Sequence, residues 1–329
     1  GPSGSGKSTL LDCIAGLREP EQGSHIRFRD QDWLSDRHCS PAWQRRIGYV
    51  FQDARLFPHP TVAGNLEFAS RRAQASGPLQ RSQLTEILRL GDLLEQKPDT
   101  LSAGQKQRAA IGRALCSAPQ LLLLDEPLAN LDFKLREELR DELPRLFADR
   151  NCIAVYATTE PMEALLFGGN TATLHEGRVT QFGPTMESYQ HPRDLISAQV
   201  FSEPPMNAAK VTKQGGEFLL GSSVRWQADA STTGLADGSY MLGVRPHRVT
   251  IRPDGAQPVA IRGHVRIAEL SGSESTVHFD LNGNDWVSLS AGVHDFDIGA
   301  EAEFHMDVSR AMYFDDAGHL VGAAGGRTD

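Results

Sequence analysis

Two rhythms of apolar and polar residues divide this chain. Over residues 1 to about 203, helix-spaced segments alternate with short apolar runs, the pattern of an α/β domain on a mainly parallel sheet. "KSTLLDCIAGL" and "FKLREELRDELPRLFADR" read as helices, the second charged on one face and apolar on the other. "RRIGYVF", "QLLLLDE" and "CIAVYAT" read as strands, and the last two are apolar enough to predict burial on both faces. Residues 61 to 118 are mostly helical in pattern: "RSQLTEILRLGDLLEQ" and "AGQKQRAAIGRALCS" each predict a helix, and the block reads as a helical insertion in the α/β core.

The rhythm changes after "SEPPMN" (202–207), the expected linker. Beyond it, short strands are separated by glycine and aspartate turns: "SYMLGVRPHRVTI", "VAIRGHVRIAEL", "STVHFDL", "DWVSLS", "AEFHMDV" and "AMYFDDAGHLV". This predicts an all-β module over 204–329, a small barrel of the oligonucleotide/oligosaccharide-binding type. The α/β domain is expected to span 1–203.

Composition narrows the function classes. With 329 residues, 40% hydrophobic and 23% charged, the chain has ample core for two domains. A formal charge of -9 argues against a nucleic-acid surface, which needs a basic stripe. No apolar run approaches the ~20 residues that span a bilayer, so a membrane connection is expected to run through a partner. Cys13, Cys39, Cys116 and Cys152 are scattered without a C-x-x-C pair, against a zinc site or a disulfide framework. The chain starts at Gly1, inside a motif, and reads as a fragment lacking its natural N-terminus.

That motif is "GPSGSGKST": Gly1, Pro2, Ser3, Gly4, Ser5, Gly6, Lys7, Ser8 and Thr9 fit G-x-x-x-x-G-K-[ST]. Its glycines let the backbone aim successive N–H groups at phosphate oxygens, and the following helix adds its N-terminal dipole. Lys7 would reach the β- and γ-phosphates and Ser8 would offer its hydroxyl to Mg²⁺. "LLLLDEP" (121–127) ends an apolar strand in two acids, placing Asp125 for the Mg²⁺ shell and Glu126 beside an attacking water. "LSAGQKQRAAIGRAL" (101–115) sets Ser102 and Gly104 at a helix start that can accept an anion. Taken singly, these are also a glycine-rich turn, an acidic turn and a capped helix; their order along one chain gives the sharper reading.

The ordered set resembles the ATP-binding subunits of ABC transporters. "GPSGSGKST" is similar to their Walker A loop, "LLLLDEP" to the Walker B strand and "LSAGQ", through Gln105, to the signature motif, with Ala103 where glycine is commoner. Gln52 in "YVFQDARLF" resembles the Q-loop glutamine that touches Mg²⁺ and the membrane subunit, and "LANLD" (128–132) the D-loop ending in Asp132. The resemblance implies an α/β P-loop NTPase core with a helical insertion, followed by an all-β small-barrel domain of OB-like, TOBE type. It further implies ATP and Mg²⁺ as cofactors. Two such ATPases would sandwich ATP head to tail, with Lys7, Glu126 and Gln52 of one facing Ser102 and Gly104 of the other. Transmembrane permease subunits and, indirectly, a periplasmic solute-binding protein complete the expected assembly, on the cytoplasmic face of the membrane.

One position departs from the family. In "VYATTEPMEAL" (155–165) the strand ends at Thr159, where the family carries a histidine on the γ-phosphate. A threonine hydroxyl is shorter than imidazole and carries no charge. Nucleotide binding is expected to survive and hydrolysis to weaken, which favours a heterodimer with a histidine-bearing second ATPase over a homodimer. The substrate signals diverge: "RRIGYVFQDARLFPH" resembles molybdate-importer ATPases. From about residue 120 onward the chain resembles those of sugar and polyol importers, "YATTEPMEALLFGGNTATLHEGRVTQFGP" being similar to glycerol importers. The longer match favours carbohydrate or polyol uptake. The tail, with "GVRPHRVTI" and "AELSGSESTVHFDL", is expected to serve dimerisation and docking.

Overall fold

The computed structural model describes residues 1–71, 81–148 and 152–323. The end of "FKLREELRDELPRLFADR" and part of the predicted helical block fall outside these residues. The chain forms two compact units, one over residues 3–159 and one over 160–329.

The first unit opens with helix α1 (Lys7–Ala15) and a small antiparallel sheet of β1 (Ile26–Phe28), β2 (Gln31–Ser35) and β3 (His38–Cys39). Strand β4 (Ile47–Val50) leads to helices α2 (Val62–Ser70), α3 (Arg81–Ile87) and α4 (Ala103–Cys116). Strand β5 (Leu121–Asp125), helix α5 (Phe133–Ala148) and strand β6 (Ile153–Ala157) close the unit. The sheet β4-β5-β6 is parallel, with Val50 opposite Leu124 and Asp125 opposite Ala157.

Its central strand shows why four consecutive leucines belong here. Side chains on a strand point alternately to its two faces. Leu122 and Leu124 enter one core with Val62, Leu66, Leu88, Ile111 and Leu139, while Leu121 and Leu123 enter another with Leu11, Ala15 and Trp33. All five residues of β5 are buried, as its sequence predicts. Strand β6 is a correction: it lies at the edge of this three-stranded sheet, Ile153 is exposed and the rest are half-buried. The single helix predicted from "RSQLTEILRLGDLLEQ" is also shorter than expected. It stops at Ile87, Arg89 takes a left-handed backbone (φ 48°), and Gly91–Leu93 form a separate 3-10 turn.

The second unit begins with α6 (Pro161–Phe167), the hairpin β7 (Asn170–His175) and β8 (Arg178–Pro184), and helices α7 (Thr185–Gln190) and α8 (Leu195–Val200). Strands β9 (Asn207–Gln214), β10 (Glu217–Leu220), β11 (Val224–Gln227), β12 (Gly238–Val244) and β13 (Val249–Thr250) follow. The chain continues through β14 (Pro258–Leu270), β15 (Glu274–Leu281), β16 (Asn284–Ala291), β17 (Glu301–Asp307), β18 (Met312–Phe314) and β19 (Leu320–Ala323). These strands form a six-stranded sheet ordered β11-β10-β9-β12-β18-β19 and a five-stranded sheet ordered β13-β17-β14-β15-β16.

Both sheets feed one barrel-like core, in which Phe218 stacks on Tyr313 and Phe279 on Phe304. Strand β15 shows the strict alternation that water on one side demands: Ser275, Val277, Phe279 and Leu281 are buried and their neighbours are not. The "SEPPMN" segment lies inside this unit. Arg245, 7% exposed, explains why residues before it stay with the barrel: its guanidinium donates to the Phe201 and Tyr189 carbonyls and lies over the Tyr189 ring.

Candidate active site

The candidate residues of the first unit gather where its parallel strands end. Gln52 follows β4 by two residues, Glu126 follows β5 directly, and Thr159 follows β6 by two. Register places these loops at the carboxyl edge of one sheet, where open α/β sheets bind ligands.

The phosphate loop reaches the same edge. Gly4 (φ 76°) and Gly6 (φ 100°) take left-handed backbone, Gly6 as the N-cap of α1. No side-chain cap bond is made at that helix start, an end whose N–H groups and dipole favour an anion. Lys7 Nζ donates to the Gly1 carbonyl at 2.8 Å and lies 3.5 Å from Glu126 Oε1. Gln52 Nε2 donates to Glu126 Oε2 at 3.4 Å. Glu126 is turned into the site by its own left-handed backbone (φ 44°), while its N–H bonds the Ala157 carbonyl at 2.9 Å. Lys7, Glu126 and Gln52 are therefore brought together.

Two buried polar atoms here have no protein partner: Ser5 Oγ and Asp125 Oδ1. Asp125 is 4% exposed, and burial holds its carboxyl above the ordinary carboxylate range, with Glu126 and Asp12 pushing the same way. A hydrogen bond from Ser8 and the Lys7 charge oppose that rise without cancelling it. A buried oxygen without a donor, beside a hydroxyl, is the chemistry that a hard cation completes with oxygen ligands. Among the described residues no group of three or more His, Cys, Asp or Glu could hold a metal ion. A cation here would draw on Ser8 and Asp125 and need its remaining oxygen ligands from other groups.

Other candidates lie elsewhere in the unit. Ser102 caps α4 by accepting from the Gln105 N–H, and Gln105 returns a bond to the Ser102 N–H, a complete capping box. Gly104 leaves little room for a side chain: an added Cβ would stand 3.0 Å from the Asn130 carbonyl oxygen, which would have to shift. Asp132 caps α5 through the Leu135 N–H. Thr159 is exposed, and its neighbour Thr158 accepts from the Gly1 nitrogen at 3.2 Å. Arg45, missed from the sequence, is 3% exposed and donates to the Cys13 and Ile14 carbonyls, compensating the negative end of the phosphate-loop helix.

This assembly agrees with what comparison with known proteins finds. The family model described as "ABC transporter" matches residues 1–129, and the model described as "TOBE domain" matches residues 242–314. An sn-glycerol-3-phosphate import ATP-binding protein of Rhizobium johnstonii is 35% identical over 288 residues, 87% of this chain and 78% of that protein. The chain belongs to the ABC transporter ATPases. A maltose/maltodextrin import ATP-binding protein of Salmonella typhimurium is 37% identical, over 85% of this chain and 77% of its own length. Its counterpart in Vibrio vulnificus is 34% identical over 329 residues, 97% of this chain and 87% of that protein. For this ABC ATPase residues 242–314 of the β-rich second unit form a TOBE-type domain, and no described helix is long and apolar enough to cross a membrane.

Proposed function

We propose that this ABC ATPase energises uptake of a carbohydrate or polyol, or its phosphate ester, through separate membrane permease subunits, from the cytoplasmic face of the membrane. The convergence of Lys7, Ser8, Asp125, Glu126 and Gln52 on one sheet edge, with the Asp125 oxygen unpartnered, carries the catalytic part of this reading. The import names of the relatives carry the solute class.

In this reading the N–H groups of the loop Gly1–Ser8 hold the phosphates of ATP, and Lys7 leaves Glu126 for the β- and γ-phosphates. Ser8, Asp125 and Gln52 would hold Mg²⁺, which when bound would supply electrostatic stabilisation of the phosphoryl charge. Glu126, released from Lys7, orients the attacking water. Thr9 continues the loop into α1. Ser102, Gly104 and Gln105 are presented to the nucleotide of a second ATPase, with Asp132 beside them.

Thr159 makes this chain's site the slower of two, because the exposed hydroxyl replaces an imidazole that would fix the water and Glu126. The partner is accordingly a second, histidine-bearing ATPase. ATP turnover of the assembled importer with Glu126→Gln in this chain alone is expected to stay within about twofold of the parent. Collapse of turnover overturns the asymmetric reading. Thr159→His is expected to raise this site's turnover by on the order of 10²-fold, the worth of one preorganised contact. Uptake of labelled maltose, glycerol and glycerol 3-phosphate by cells carrying or lacking the gene tests the solute. Loss of molybdate uptake alone would instead support the reading that "RRIGYVFQDARLFPH" suggests.

A further inference from the structure

The stretch Phe51–Thr61, which carries Gln52, is strained and tied down from outside. Ala54 (φ 63°) and Arg55 (φ 37°) take left-handed backbone in succession, a conformation that costs a non-glycine residue on the order of 1 kcal/mol or more. Such a turn persists only where its surroundings hold it.

The holding groups come from three directions. Arg113, in the last turn of α4, donates from Nη1 to the Arg55 carbonyl at 2.8 Å, and its guanidinium lies 4.9 Å from the Phe57 ring centre. Gln107, six residues earlier on the same helix and itself 1% exposed, donates to the Phe51 carbonyl at 3.4 Å. Asn130 donates to the Gln52 carbonyl at 3.4 Å. Downstream, Asn65 is fully buried on α2; it accepts from the Phe57 N–H at 2.9 Å and donates to the Phe57 and Thr61 carbonyls at 3.1 Å each. Of the bonds from Arg113, Gln107 and Asn130, the one from Arg113 is the shortest.

We propose that Arg113 is a positioning residue for hydrolysis: it makes the Gln52 loop follow helix α4, whose other end carries Ser102 and Gly104. The link rests on the reading of Gln52 as a site residue. Helix α4 is a rigid rod of 14 residues, capped at one end by the Ser102–Gln105 box and gripping the strained turn at the other. A displacement of its signature end by a bound nucleotide therefore moves the Arg55 carbonyl, and with it the Gln52 contact to Glu126. Burial lowers the Arg113 pKa, but the guanidinium remains charged at neutral pH because an arginine starts so high. Its planar fork offers parallel donors and a face for Phe57 at once, which an ammonium does not.

Steady-state ATP turnover and binding of a fluorescent ATP analogue, measured on the assembled transporter carrying Arg113→Ala, Arg113→Lys or Gln52→Ala in this chain, test the proposal. To make this site alone report, all are built in the Thr159→His background with the partner ATPase's own catalytic glutamate changed to glutamine, and turnover is compared with that parent. Arg113→Ala is expected to lower kcat about tenfold with ATP KM and analogue affinity within twofold, because misplacement of a reacting group costs rate while the phosphate loop is untouched. Arg113→Lys, which keeps one donor to the Arg55 carbonyl, is expected to recover to within about threefold, and it guards against a failure of the alanine variant to fold. Adding Gln52→Ala to Arg113→Ala is expected to cause little further loss, since both act through one group. Normal kcat in a folded Arg113→Ala protein overturns the proposal alone. Parallel losses of kcat and nucleotide affinity also overturn it, since they mark a general structural role. Normal kcat in Gln52→Ala overturns the reading of Gln52, and the proposal with it.

Discussion

Two buried aspartates, one in each unit, show what separates a site from a scaffold. Asp307, 3% exposed at the end of β17, is fully engaged: its Oδ1 accepts from the Ser309 N–H and hydroxyl and the Gln257 N–H, and Arg248 lies 3.8 Å from Oδ2. Asp125, 4% exposed at the end of β5, has a hydrogen bond from Ser8 and one oxygen with no partner. A buried carboxylate costs several kcal/mol in desolvation unless donors or cations repay it. The barrel supplies them from its own chain. The nucleotide site leaves the requirement open, and that opening is what a ligand fills.

The contrast can be broken most sharply at Asp307. Asp307→Ala removes the acceptor for three donors and strands the Arg248 charge, so the full chain is expected to lose about 3 kcal/mol. Urea unfolding followed by tryptophan fluorescence would show the midpoint falling, and an unchanged midpoint would mean the network is idle.

Asp125→Asn should act in the opposite direction on the nucleotide-free protein. Asparagine of the same shape ends the burial of a charge, and a gain of ~1 kcal/mol, or about 2–4 °C in Tm, is expected. The same change should abolish the additional stabilisation by Mg²⁺-ATP. The sign of the pH dependence follows from the raised Asp125 pKa. Between the ordinary carboxylate value and the raised one, the folded state holds a proton that the unfolded state has released, so this group's contribution falls as pH rises. The Tm advantage of Asp125→Asn should therefore widen from about pH 4 to pH 7 in thermal scans. An advantage that narrows with pH would contradict the assignment.

The smallest effect is expected where a carboxylate is neither buried nor strained. Glu303 pairs with Arg262 on the barrel surface at 3.1 Å, both about half exposed or more. Glu303→Ala should change stability by less than about 0.5 kcal/mol, because water screens such a pair. A larger loss would mean that carboxylate burial is a poor guide to which acids matter in this unit.

Much of the candidate site was legible because its residues lie next to one another in sequence. Lys7 and Ser8 follow a glycine loop, and Asp125 and Glu126 end a leucine run, so local pattern places them on a helix start and a strand end. Gln52 and Ser102 depended on order relative to those two motifs. Arg45, Asn65, Arg113 and Asn130 were not legible. Each looks like an ordinary polar residue, and its importance lies in which distant carbonyl it meets: 32 residues away for Arg45 and Cys13, 8 for Asn65 and Phe57, 58 for Arg113 and 78 for Asn130. The hairpin β7–β8 and the strands β9 to β11 also escaped the pattern. The three-strand sheet made β6 an edge, which burial-by-composition could not anticipate.

By itself the sequence determined the fold class, the order of the phosphate loop, acid pair and signature helix, and the absence of an imidazole at Thr159, since all are set by local spacing and residue chemistry. The tertiary structure decided which atoms are satisfied and which wait. Whether Asp125 keeps a free oxygen, whether Lys7 rests on Glu126, and whether Arg113 holds a strained turn depend on parallel register and helix packing. Those bring together groups whose separation along the chain carries no signal of their meeting.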